Sequence, residues 1–221
     1  MMYMAKQSII HCETLGSGPN LVLLHGWAMH GGVWQGVRDQ LAVRYRVHLF
    51  DLPGHGLSPV YEPGDFNHIV EIINENLPDD CIVCGWSLGG HIGLELLGTE
   101  PRVRSLLIVG TPPVRPSVDA LHAAFFADDD MQLAGKPHFS LADAETYGKA
   151  MLGGSRFLTK NLLADIRRTD GNARRFMFEN ALRGVGADQR SVAEMAAKPL
   201  CVVHGENEPF VRLSYLRSIR Y

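Results

Sequence analysis

Only four of the 221 residues are cysteine, and neither charge sign is in excess: 21 basic and 24 acidic side chains leave a formal charge of -3. Without a basic surplus or a clustered basic stripe, the composition argues against a nucleic-acid or anionic-membrane partner. No uninterrupted apolar stretch approaches the ~18 residues of a membrane span. The start of the chain, Met1-Met2-Tyr3-Met4-Ala5-Lys6-Gln7, lacks a basic segment followed by an apolar run. That leaves no secretory signal, and the cytoplasm is the expected location. Internal repeats and low-complexity tracts are also missing. Cys81 and Cys84 form a C-x-x-C, but a redox pair belongs at the start of a helix and a zinc site needs a second ligand pair. Here both sit inside the apolar run 81–84 and read as packing residues. With 46% hydrophobic residues the chain is a folding globule rather than a disordered one. Its length suits one domain with an insertion, burying about 70% of its unfolded surface.

What is present is a rhythm. Short apolar runs at 21–24, 45–50, 81–84, 105–109 and 200–203 each end at a turn signal such as His25-Gly26, Asp51-Leu52-Pro53-Gly54, Gly85, Gly110 or His204-Gly205. Runs that are apolar throughout, rather than alternating, mark strands covered on both faces, as in a parallel sheet. Helical periods lie between them. Val33, Trp34, Val37 and Leu41 form one; Phe66, Ile69, Val70, Ile73 and Leu77 form another behind Asp65, a predicted N-cap; Ile92, Leu94, Leu96 and Leu97 form a third. Strands alternating with helices predict an α/β fold with a mostly parallel central sheet.

The alternation stops after Gly110. From 111 to 198 there is no strand-like run, but helical segments are predicted at 143–152, 162–169 and 173–182, with the acidic stretch Asp128-Asp129-Asp130 as a solvated loop. The expected organisation is a core formed by 1–110 and 199–221, interrupted by a helical cap at 111–198.

Gly85-Trp86-Ser87-Leu88-Gly89 matches the G-x-S-x-G pattern of a nucleophile elbow. The pattern alone is weak, but it follows a buried-strand run and precedes an apolar helix. A strand-to-helix turn that sharp strains its central residue. It also holds the Ser87 hydroxyl above the sheet at the positive end of the helix. His25-Gly26-Trp27, ending another strand, faces the same sheet edge. The backbone N–H groups of Trp27 and Leu88 can therefore form a two-donor oxyanion hole. His25 itself reads as a loop brace. The glycine-rich turn from Asp51 to Ser58 reads as shaping the site.

These elements, in this order and spacing, resemble the α/β-hydrolase superfamily. The segments Gly85 to Glu95, Gly110-Thr111-Pro112-Pro113-Val114, Arg168-Thr169-Asp170-Gly171 and Gly205-Glu206-Asn207-Glu208-Pro209-Phe210-Val211 resemble its N-acyl homoserine lactone lactonases, which are metal-independent. A more distant resemblance is to the carboxylesterase acting on the methyl ester of pimeloyl-carrier protein, which shares His-Gly-Trp and Gly-Trp-Ser-Leu-Gly-Gly. Those lactonases carry a small polar residue where this chain has Trp27. A backbone donor survives that change, although the indole can alter substrate choice.

The resemblance implies a serine hydrolase that opens a lactone or cleaves an ester through an acyl-enzyme, with no cofactor or metal. Its triad order is Ser, acid, His. Glu208 takes the acid position and Glu206 is the alternative; Tyr147 is the predicted phenol for the substrate carbonyl. No histidine follows Glu208: the ten are His11, His25, His30, His48, His55, His68, His91, His122, His138 and His204. His91 is expected to lie on the helix facing away from the elbow. One further strand and helix of the resembling enzymes also have no counterpart after Val211. The expectation is a shortened chain lacking its general base, with turnover lowered about 10⁴–10⁶-fold and an open sheet edge. Two alternatives stay open, a general carboxylesterase and a hydrolase-fold protein that binds small molecules without turnover.

Overall fold

In the computed structural model the described residues are 10–60, 65–126 and 133–221; Asp128, Asp129 and Asp130 lie outside them. Six strands form one sheet in the order β1-β3-β2-β4-β5-β6. They are β1 (Cys12–Leu15), β2 (Asn20–Leu24), β3 (Arg46–Phe50), β4 (Cys81–Trp86), β5 (Val103–Val109) and β6 (Leu200–Val203). All neighbours are parallel except β1, which runs antiparallel to β3. β1 has no apolar run, being Cys-Glu-Thr-Leu on an exposed edge, so hydropathy gave no sign of it.

The helices before β5 are α1 (Gln35–Ala42), which follows a 3-10 turn at Gly31–Trp34, α2 (Phe66–Asn76) and α3 (Leu88–Thr99). Asp65 caps α2 as expected, its carboxylate accepting from the His68 N–H at 2.8 Å. The period through Val33 and Val37 is corrected by the structure. Both side chains are exposed, and only Trp34 and Leu41 turn toward the sheet. Between β5 and β6 come α4 (Val118–Ala124), α5 (Leu141–Met151), α6 (Lys160–Arg168), α7 (Gly171–Arg183) and α8 (Gln189–Glu194); α9 (Leu213–Arg217) follows β6. No strand occurs between β5 and β6 among the described residues. Each of α5, α6 and α7 begins on a side-chain cap, from Ser140, Thr159 and Asp170 respectively.

Two packed layers fix the sheet. On one face Val22, Leu24, Phe50, Val83, Leu106 and Ile108 are buried with Ile92, Leu96 and Ile73 of α3 and α2. On the other, Leu21, Leu23, Val47 and Leu49 pack with Trp34 and Leu41. That second face is less well covered toward the β6 edge, where Cys201 and Val203 are exposed. Cys81 and Cys84 occupy strand positions, and burial raises both thiols, to about 11 and about 12, away from the reactive thiolate. No helix among the described residues is long and apolar enough to cross a membrane.

Candidate functional site

Parallel strands deliver their C-terminal loops to one edge, and the site is assembled there. Ser87 sits between β4 and α3 at φ 51° and ψ -113°, a region that costs a non-glycine residue about 1–3 kcal/mol. Its backbone is pinned on both sides. The Ser87 N–H donates to the Val109 carbonyl at 2.9 Å, and its own carbonyl accepts from the N–H groups of Gly90 and His91 at 2.9 and 3.1 Å. The Thr111 hydroxyl donates to the same carbonyl at 3.0 Å. The flanking glycines are dictated by close approach. A Cβ on Gly85 would overlap the Gly89 carbonyl, and one on Gly89 would overlap the carbonyl of Leu24.

The same contact joins the elbow to the loop after β2, since the Gly89 N–H donates to the His25 carbonyl at 3.1 Å. His25 is fully buried and braces this loop, as its sequence position suggested. Its Nδ1–H donates to the Gly26 carbonyl at 2.8 Å, while its Nε2 accepts from the Leu52 N–H at 2.9 Å. Burial, with His55 beside it, lowers its pKa well below the ordinary histidine value. The Asp51–Ser58 turn is braced in turn by the buried Asp51 carboxylate, which accepts from the N–H groups of Gly31 and Leu57 at 2.7 and 2.8 Å. The N–H groups of Trp27 and Leu88 have no acceptor among the described residues. The Trp27 indole reaches across to donate to the Ala134 carbonyl at 3.1 Å.

A cavity of about 370 Å³ opens over this edge, lined by Ser87, Leu88, Trp27, Tyr147 and Glu208 together. Most of the remaining wall is apolar, including Phe125, Met177, Val185 and Phe210. Glu208 is half-buried in the turn after β6, its carboxylate accepting from the N–H groups of Phe210, at 3.0 Å, and Val211. Burial raises its pKa. Glu206, the alternative acid, is exposed and does not line the cavity. Tyr147, on α5, is buried between Phe139 and Phe210, and burial raises its phenol pKa above the usual range.

Two histidines line the cavity, His91 and His122, and among the described residues neither imidazole ring hydrogen-bonds Ser87 or Glu208. His204 and His25 do not line it. The expectation for His91 is corrected: its ring does not face away from the elbow but forms part of the cavity wall, where its Nδ1 meets Gln189 Oε1 at 2.7 Å. A helical side chain leans back over the preceding turn, and for His91 that turn holds Ser87. Among the described residues no group of three histidine, cysteine or acidic side chains is placed to hold a metal ion.

Comparison with known proteins gives concordant results. The model of the Alpha/beta hydrolase family matches residues 21–218. The pimeloyl-[acyl-carrier protein] methyl ester esterase of Nitrosospira multiformis is 35% identical over 91% of this chain and 81% of its own length. The enzyme of that name from Nitrosomonas europaea is 49% identical over 47% of this chain, a match that spans 42% of the relative. Among solved structures, N-acyl homoserine lactonase AidH complexed with N-butanoyl homoserine superposes with a TM-score of 0.89 at 34% identity, covering 96% of this chain and 80% of that one. A variant of AidH complexed with N-hexanoyl homoserine lactone gives 0.90 at 33%, covering 98% and 82%.

Proposed function

Because the chain belongs to the alpha/beta hydrolase family, whose relatives here are ester-acting hydrolases, we propose that it acts on an acyl lactone or ester through Ser87. In this reading the Ser87 Oγ attacks the carbonyl carbon and forms an acyl-enzyme, which water then hydrolyses. The Trp27 and Leu88 N–H groups receive the developing oxyanion; losing one such donor typically costs about 3–4 kcal/mol. Tyr147 offers its phenol to the substrate carbonyl. Residues 111–198 form the cap, and their apolar side chains take the acyl tail. The observation that carries this reading is the convergence of Ser87, Leu88, Trp27, Tyr147 and Glu208 on one cavity, although they stand up to 181 positions apart in sequence (208 less 27).

Glu208 is assigned to hold an imidazole in the tautomer that accepts the serine proton. No histidine of the described residues occupies that place, so Ser87, the two amides and Glu208 are assigned as nucleophile, hole and acid, to be completed by an imidazole base. The substrate we favour is an N-acyl homoserine lactone, on the overlap with AidH across 96% of the chain. The second reading is a methyl ester of the pimeloyl-carrier-protein kind, favoured by the 35% identity to the Nitrosospira esterase. A kinetic comparison of N-hexanoyl homoserine lactone with methyl hexanoate, both with imidazole supplied as base, separates them. Faster Ser87-dependent opening of the lactone is expected. A preference for the methyl ester reverses the assignment, and release equal to that of Ser87→Ala for both removes the hydrolase reading of the site.

A further inference from the structure

His91 is held by a relay that the proposed reaction does not use. The Glu95 carboxylate accepts from the Ala187 N–H, with both oxygens at 3.1 Å, and from Gln189 Nε2 at 2.8 Å. A carboxylate in this role only accepts, so Gln189 must turn its NH₂ toward Glu95 and its oxygen toward His91. That oxygen in turn only accepts, so the proton between Gln189 and His91 belongs to His91 Nδ1. In the neutral ring the lone pair is then on Nε2. Gln189 is 4% exposed and its backbone N–H is tied to the Val114 carbonyl at 3.0 Å, which fixes the far end of the relay. His91 Nε2 has no partner among the described residues, yet it is not one of the fully buried unpaired atoms, and His91 lines the cavity.

The Phe125 ring centroid lies 6.3 Å from that of His91, and Val114 and Val185 are among the apolar residues lining the same cavity. On this wall an acceptor of fixed tautomer stands in the first turn of α3, four positions after the nucleophile at its N-cap. The carbonyl carbon under attack lies about 3–3.5 Å from the serine oxygen. A donor two bonds from that carbon therefore falls within the span between Ser87 and the imidazole.

We propose that His91 is a specificity-determining residue, whose Nε2 accepts a hydrogen bond from a donor on the carbon next to the scissile carbonyl. In an acyl homoserine lactone that donor is the amide N–H. This rests on the acyl lactone or ester reading of the Ser87 cavity. A substrate without the donor desolvates Nε2 and leaves it unpaired, whereas one with the donor pairs it, and the difference is selectivity.

Calorimetric binding to the Ser87→Ala protein, which removes turnover, tests the assignment. The probes are N-hexanoyl homoserine lactone and α-hexanoyloxy-γ-butyrolactone, in which an oxygen replaces only the N–H. A second pair, methyl 2-hydroxyoctanoate and methyl octanoate, removes the lactone ring. The donor-bearing member of each pair is expected to bind about 10-fold tighter, the equivalent of ~1.4 kcal/mol. Adding His91→Phe should bring that ratio to about 1, with the donor-free probes binding at least as tightly as before because no Nε2 remains to be desolvated, which also shows that the variant is folded. Gln189→Met, which frees the tautomer but keeps the ring, should lower the ratio part-way. A ratio unchanged by His91→Phe overturns the proposal while the lactone reading stands. If the lactones fail to bind while the esters keep a His91-dependent ratio, the lactone reading falls and His91 keeps its role. Failure of all four probes overturns both.

Discussion

At the scale of the residue, burial decides which side chains can do chemistry. His25 and His55 pack with their rings tilted at 54° and centroids 5.2 Å apart, and both are buried. His55 donates from Nδ1 to the Pro53 carbonyl at 3.0 Å, and burial drives its pKa down from 6.5 to about 4. The unfolded chain, with an ordinary histidine pKa, binds more protons than the folded one between those values. Stability is therefore full above about pH 6.5, falls as the pH drops toward 4, and loses no more to this group below that. For His55 alone, moving from pH 6.5 to 5 costs on the order of 1–2 kcal/mol, and the lowered pKa of His25 adds in the same direction. Urea midpoints at the two pH values should show this drop; equal midpoints contradict neutral burial of the pair. His25 was legible as a brace because its place at a strand end is written in the sequence. His91 was not. Its partner Gln189 is 98 positions away, and only the folded contact shows which way the imidazole faces.

At the scale of the element, the strand-turn-helix from Cys81 to Thr99 holds the site together. Ser87 keeps its strained backbone because α3 runs directly under β2, with Gly89 against the Leu24 carbonyl. Gly89→Ala forces these elements apart. Overpacking of this kind costs about 2 kcal/mol, which for a chain of this size lowers Tm by about 4–8 °C. A Gly89→Ala protein that melts at the parent temperature contradicts the close-approach account. The buried parallel strands and the elbow were readable because their composition is unambiguous, apolar runs ended by glycine. β1 escaped because Cys-Glu-Thr-Leu on an antiparallel edge carries neither period. Val33 and Val37 misled because a helical spacing of apolar residues does not say that the face is covered, and theirs is open to solvent. The short helices α4 and α8, of 7 and 6 residues, are too brief for a period to show. Yet α8 supplies Gln189, and the loop before it supplies Ala187 to Glu95.

At the scale of the whole molecule, the parallel sheet does the gathering. β2, β4, β5 and β6 end on one edge, so loops separated by more than a hundred positions meet around Ser87. The fold and family were readable from motif order. The joint position of Tyr147 and Glu208 on the cavity required the helices between β5 and β6 to be in place. The central proposal is that Ser87, the Trp27 and Leu88 amides and Glu208 form a hydrolytic centre that an imidazole base completes. Supplying imidazole to the 221-residue protein tests that claim most directly. Opening of N-hexanoyl homoserine lactone should rise saturably with neutral imidazole, by about 10²-fold or more, beyond the protein-free rate. The gain should vanish in Ser87→Ala and shrink in Glu208→Gln. A rise no larger than that of imidazole without protein, or one that survives Ser87→Ala, contradicts it.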